Sequence, residues 1–174
     1  ILWARRNNIP FILERGSSHV MEQDKLLNDE YKKFGLKYQN LGKKSLKTQL
    51  REYKLVDKVQ VPSIFVEKSF LKQGFPKEKL FLNNFGVNLT MFLSKKYRQS
   101  SFNVIYAGSL CLRKGIKYLY QGYRDAELLK SKLILIGNLD EDLKILIGNN
   151  LKNIELVGHV AQSELKKFYE KGSV

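Results

Sequence analysis

Short apolar runs alternate with segments in which apolar residues recur every three to four positions, and the alternation repeats along the whole sequence. Pro10-Phe11-Ile12-Leu13 reads as a buried strand, and the spacing Leu27, Tyr31, Phe34 predicts a helix from Met21 to Phe34 that stops at Gly35. Leu46, Leu50 and Tyr53 keep the helical interval through a second helix. Lys58-Val59-Gln60-Val61 follows as a strand, Pro62 ends it, and Ser63 is placed to cap a helix running to Gly74. Lys79-Leu80-Phe81-Leu82 is a further strand, and Asn83-Asn84-Phe85-Gly86 a turn. The pattern then lapses and restarts at Asn103-Val104-Ile105-Tyr106-Ala107. A helix follows with Ile116, Leu119, Tyr120 and Tyr123 on one face, then the strand Leu133–Ile136, a helix from Asp140 to Ile147, the strand Ile154–Val157, and a last helix capped by Ser163 and stopped by Gly172. Strands and helices in strict alternation predict an α/β fold with parallel sheets covered on both faces. The lapse places an interdomain linker at 89–101, between a domain ending at Asn88 and another covering 102–174.

Composition narrows the classes. At 174 residues, with 43% hydrophobic and 28% charged positions, the chain is globular and long enough for one full core or two partial ones. It begins with Ile, and both ends fall inside apparent structural patterns, so it reads as an internal fragment in which both domains are incomplete. No apolar run reaches the length of a membrane span, and the single Cys111 excludes an intrachain disulfide, which fits a cytoplasmic setting. Lys and Arg outnumber Asp and Glu by 31 to 17. The excess is spread: 17 cations against 9 acids up to Asn88, and 14 against 8 after it. A diffuse basic field suits an anionic small substrate or an anionic membrane surface, the inner face of a plasma membrane among them. No pattern of a nucleic-acid module gives that field an address, and no nucleic-acid partner is expected.

The chemistry concentrates at strand ends. Gly108-Ser109-Leu110-Cys111-Leu112-Arg113-Lys114-Gly115 joins a strand to a helix and carries two adjacent cations, a setting for a diphosphate that the local pattern alone reads equally as a solvated surface pair, Arg113 and Lys114. Gly108, Gly137 and Gly158 each follow a strand, and in open parallel sheets ligands sit beyond the carboxyl ends of the strands. Singly, each glycine is better read as permitting a tight turn; it is the three together on one edge that point to a shared cleft.

Glu14-Arg15-Gly16-Ser17-Ser18-His19, Arg51-Glu52-Tyr53, Val61-Pro62-Ser63, Gly86-Val87-Asn88, Gly108-Ser109-Leu110 with Arg113-Lys114-Gly115, Leu135-Ile136-Gly137 and Val157-Gly158-His159-Val160, in that order, resemble the family-4 (group 1) glycosyltransferases of the GT-B fold over nearly the whole chain. The resemblance implies two Rossmann-like domains and a retaining transfer of sugar from a nucleotide-sugar donor to a glycan or lipid-linked acceptor, as in polysaccharide and cell-envelope biosynthesis. It implies no metal and no cofactor. Lys114 would hold the donor diphosphate beside Gly108. Where the family commonly carries Arg this chain has Ser109, which leaves Arg113 as the substitute. His159 and Val160 would hold the nucleobase through main-chain groups, and Gly16, Ser17 and Gly137 would line the donor or acceptor loops. His19 would stand near the reacting sugar as a catalytic residue, although its position serves equally to cap the helix that begins near Val20. Asn88 replaces the family's usual Asp at the hinge. A pair of glutamates that the family uses to hold the donor would lie beyond Val174, so the fragment by itself should transfer no sugar. A different class of reading stays open beside this one: a non-catalytic basic α/β module that binds nucleotide, anionic membrane or nucleic acid.

Overall fold

Leu133-Ile134-Leu135-Ile136 has no polar position, the pattern of a strand covered on both faces. In the computed structural model, which describes residues 2–88 and 101–174, these four residues are all buried in the central strand of a parallel sheet. The chain divides into two units, Ile1–Val87 and Asn88–Val174. The linker expected at 89–101 lies, Ser101 apart, outside the described residues.

The first unit runs α1 (Leu2–Arg6), β1 (Ile12–Glu14), α2 (Val20–Lys33), α3 (Lys43–Leu55), β2 (Lys58–Val61), α4 (Ile64–Lys72) and β3 (Leu80–Leu82). Its sheet has the order β1-β2-β3, all parallel, with Leu13 opposite Val59 and Val61 opposite Leu82. Val59 and Val61 point into a core with Val20, Tyr53, Val56, Val66 and Phe70. Burial of one such Val or Phe side chain stabilises by about 1.5–3 kcal/mol. The first strand begins two residues later than the apolar run Pro10–Leu13 indicates. Phe11 N–H donates to Asp57 Oδ2 at 2.7 Å, so a side chain takes the donor that would have extended the ladder. Ser63 caps α4 as expected, its Oγ accepting from Val66 N–H at 3.3 Å.

The second unit runs β4 (Asn103–Ala107), a 3₁₀ turn (Leu112–Lys114), α5 (Ile116–Asp125), β5 (Lys132–Ile136), α6 (Glu141–Ile147), β6 (Ile154–Gly158) and α7 (Gln162–Tyr169). Its sheet is again parallel, in the order β4-β5-β6. Leu110, Ile116, Leu133, Leu135 and Leu143 form its core, closed by Tyr120 and Tyr123. The last helix starts two residues earlier than its serine indicates. Ala161 is the N-cap residue, Glu164 N–H donates to Ala161 O, and Ser163 lies inside the first turn.

Beyond α7 the chain returns to the free edge of β4. Ser173 N–H donates to Asn103 O and Ile105 N–H to Val174 O, both at 2.8 Å, while Gly108 N–H bonds to Ile136 O on the opposite side. The winding therefore reverses at β4: β5 and β6 lie on one side of it, residues 173–174 on the other. In doubly wound sheets that reversal leaves a crevice at the carboxyl end of the strand where it occurs. The sheet halves are Rossmann-like. Among the described residues, no helix is long and apolar enough to cross a membrane.

Candidate functional site

At the carboxyl ends of β4, β5 and β6 lies a cavity of about 340 Å³, walled by the strand-end loops and by Leu165 and Tyr169 of α7. Gly108, Ser109, Gly137, His159 and Val160 all line it, so the loops at three strand ends meet at one place. The glycines are required by geometry. Gly137 has φ +142°, and a Cβ there would stand 1.9 Å from Gly108 O, a backbone atom that cannot yield. Gly108 has φ +151°, with the Tyr106 hydroxyl lying over the place of a Cβ. Both conformations are strained for any residue with a side chain.

Neighbouring bonds hold these loops in place. Leu110 N–H donates to Asn138 O and Asp140 N–H to Leu110 O, both at 3.0 Å, so the loops after β4 and β5 are stitched together. The Tyr106 hydroxyl donates to Ser109 O at 3.4 Å, and burial raises its pKa. Among the described residues, the main-chain N–H groups of Ser109, Asn138, His159 and Val160 donate to no main-chain carbonyl. All four residues line the concave, partly apolar wall, and main-chain donors without a carbonyl partner suit anionic or carbonyl oxygens. Asn138 and Tyr106 are legible only in hindsight. Asn138 follows a strand-end glycine, and Tyr106 sits two residues before one, so that the period of the strand turns it toward the loop.

Arg113 and Lys114 stand apart from the cavity wall. Both are exposed on the 3₁₀ turn before α5, where Lys114 N–H donates to Cys111 O, and among the described residues neither side chain makes a hydrogen bond or ion pair. Gly115, in the left-handed conformation at φ +73°, then turns the chain into α5. Lys117 is committed elsewhere: its Nζ donates to Leu146 O at 2.8 Å. His159 is exposed.

In the first unit, Gly16-Ser17-Ser18 joins β1 to α2. The guanidinium of Arg15 crosses beneath this loop, donating to Ser18 O and Gln23 Oε1, and Ser17 Oγ donates to the same Gln23 oxygen at 3.1 Å. Gly16 lies against the ring of Phe85. His19 is 6% exposed and caps α2: its Nδ1 accepts from Met21 N–H at 3.3 Å, and its own N–H donates to Ser69 Oγ at 2.8 Å. Its ring packs against Tyr53 and Phe70, with centroids 4.8 and 5.0 Å away. Burial, then the nearby Arg15 charge, lower its pKa, with Glu22 opposing. Glu22 is itself held below the usual carboxylate range, chiefly by a 2.7 Å hydrogen bond from Lys72. His19 and Tyr53 also line a second cavity of about 480 Å³.

No protein-family model matches the sequence, and no curated protein matches it. Solved structures do. HepE from Anabaena, crystallised with UDP and glucose, superimposes with a TM-score of 0.63 at 12% identity, over 97% of this chain and 46% of its own length. The lipopolysaccharide outer core galactosyltransferase WaaB, in its apo form, superimposes with a TM-score of 0.53 at 16% identity, over 98% of this chain and 50% of its own. The chain thus spans about half the length of the structures it matches. Its fold is that of the GT-B glycosyltransferases, with two Rossmann-like halves.

Proposed function

We propose that this chain belongs to a retaining glycosyltransferase of the GT-B class that takes a nucleotide-sugar donor at the strand-end cavity of the second unit. The observation that carries the reading is that cavity: three strand-end loops meet there, with four main-chain N–H groups that among the described residues donate to no main-chain carbonyl. Ser109 and Asn138 serve the donor's diphosphate, and the N–H groups of His159 and Val160 serve its base. Lys114 and Arg113 add mobile positive charge from the adjoining turn. When the bond between sugar and diphosphate breaks, negative charge develops on the leaving group, and donors already fixed in place stabilise it without reorganising. Charge supplied in this way needs no metal. The Gly16–Ser17 loop is assigned to the acceptor, a glycan or a lipid-linked one. Nδ1 of His19 is committed to Met21, so a part for this residue in transfer runs through Nε2.

The test is protection from thermal unfolding by a panel of nucleoside diphosphates and their sugars, with UDP, the nucleotide of the HepE complex, as the first probe. Lys114→Ala should weaken nucleoside diphosphate binding by about 1.5–3 kcal/mol, the worth of a charge-assisted hydrogen bond, with the fold unchanged. Lys114→Arg should restore it only in part. Unchanged affinity in the alanine variant would remove this turn from the donor site.

A further inference from the structure

Half of the lining of the first unit's cavity belongs to the turn that carries the chain from α4 back to β3: Gln73, Gly74, Phe75, Pro76 and Lys79. Leu50 and Lys54, one turn apart at the end of α3 that leads into β2, add a second wall. These segments precede β2 and β3, whereas the Gly16–Ser17 loop follows β1 at the other end of the parallel sheet. The hollow is thus separate from the carboxyl edge, where ligands of doubly wound sheets ordinarily sit. Its surface has two characters. Leu50, Phe75 and Pro76 are apolar, and Lys54 and Lys79 bring two ammonium groups. Lys79 Nζ donates to Val56 O at 3.3 Å, while among the described residues the Lys54 ammonium makes no hydrogen bond or ion pair. His19 completes the lining at 6% exposure. Its Nδ1 accepts from Met21 N–H, so the hydrogen of the neutral ring sits on Nε2, which has no partner among the described residues. A buried donor left without an acceptor costs stability until a ligand or water supplies one.

We propose that this hollow binds a small apolar carboxylate, an aryl or short alkyl acid whose oxygens meet Lys54, Lys79 and His19 and whose hydrocarbon part lies on Leu50 and Phe75. At about 480 Å³ the cavity is of the size that small-molecule sites have. Charge sets the class. One ammonium is open, the other already spends a hydrogen on Val56 O, and no guanidinium lines the wall. That set suits one negative charge on two oxygens better than the near-double charge and three oxygens of a phosphate monoester. This inference does not rest on the glycosyltransferase reading, since no residue of the strand-end cavity takes part.

Amide NMR spectra of the full chain, titrated with phenylacetate, test it. Shifts that saturate should appear at Gly74, Phe75 and Lys79 and be absent at Ile134 and Leu135 of β5. The neutral phenylacetamide should bind about tenfold more weakly or worse, and so should phenylacetate to Lys54→Gln, as the loss of a charge-assisted hydrogen bond requires. Lys54 is exposed and glutamine is a good helix former, so the fold should be retained. Lys44→Gln takes the same charge from the far end of α3 and should bind as the wild type does. Met21 also lines the hollow and is exposed, so Met21→Trp should fill it and abolish the shifts. Equal losses in Lys54→Gln and Lys44→Gln would overturn the proposal in favour of diffuse charge. So would an absence of saturable shifts in the wild type, acetate that moves the same amides as far at the same concentration, phenylacetamide that binds as tightly as the acid, or phenyl phosphate that binds more tightly.

Discussion

Nδ1 of His19 can accept from Met21 N–H only while it carries no proton, so the capped form of α2 requires a neutral imidazole with its hydrogen on Nε2. Burial among Tyr53 and Phe70, and the charge of Arg15, act in the same direction. The folded-state pKa is thus below 6.5, and between the two values the unfolded chain binds more protons than the native one. Stability from this group is complete above the unfolded value and is lost as pH falls through 6.5 toward the depressed folded value, at no more than about 1.4 kcal/mol per pH unit. Asparagine caps helices well and does not titrate. His19→Asn should therefore keep most of the stability near pH 8 and flatten its decline toward pH 5.5, as read by urea unfolding across that range. A variant whose slope matches the wild type would show that the imidazole does not report on the fold.

The two helix-start serines, Ser63 and Ser163, read alike in the sequence and differ in the structure. Ser63 Oγ satisfies Val66 N–H, whereas Ser163 lies one residue inside α7 and caps nothing. Ser63→Ala should cost about 1 kcal/mol and Ser163→Ala should be nearly neutral, a contrast that chemical denaturation of the two variants resolves. Strands and helices were legible because burial on both faces of a parallel sheet writes itself as unbroken apolar runs, as in Leu133–Ile136, and helix faces as a period near 3.6. Element ends were less so. Whether Phe11 extends β1 depends on Asp57, forty-six residues away, and α7 starts at Gln162 behind Ala161, with no side-chain cap to mark it. The candidate cavity was half legible: its glycines follow strands in the sequence, but the stitching of Leu110 to Asn138 and Asp140, and the place of Tyr106 above Gly108, arise only when β4 and β5 pair.

Each unit has its own core, and the two share no residue. The strand-end cavity is built wholly from the second, by β4, β5, β6 and α7. A ligand that binds only the native form stabilises the cooperative unit that holds it, by about 2.7 kcal/mol at a hundredfold excess over its Kd, and leaves an independent unit as it was. Hydrogen exchange on the full chain, with and without UDP, should accordingly slow at the core amides of β5, Ile134 and Leu135 among them, and stay unchanged at Val59 and Val61 of β2. Protection that follows the ligand into both units would mean that they unfold as one body. Protection in the first unit alone would move the nucleotide to the cavity of His19 and Tyr53, and the strand-end glycines of the second would then be turns and nothing more.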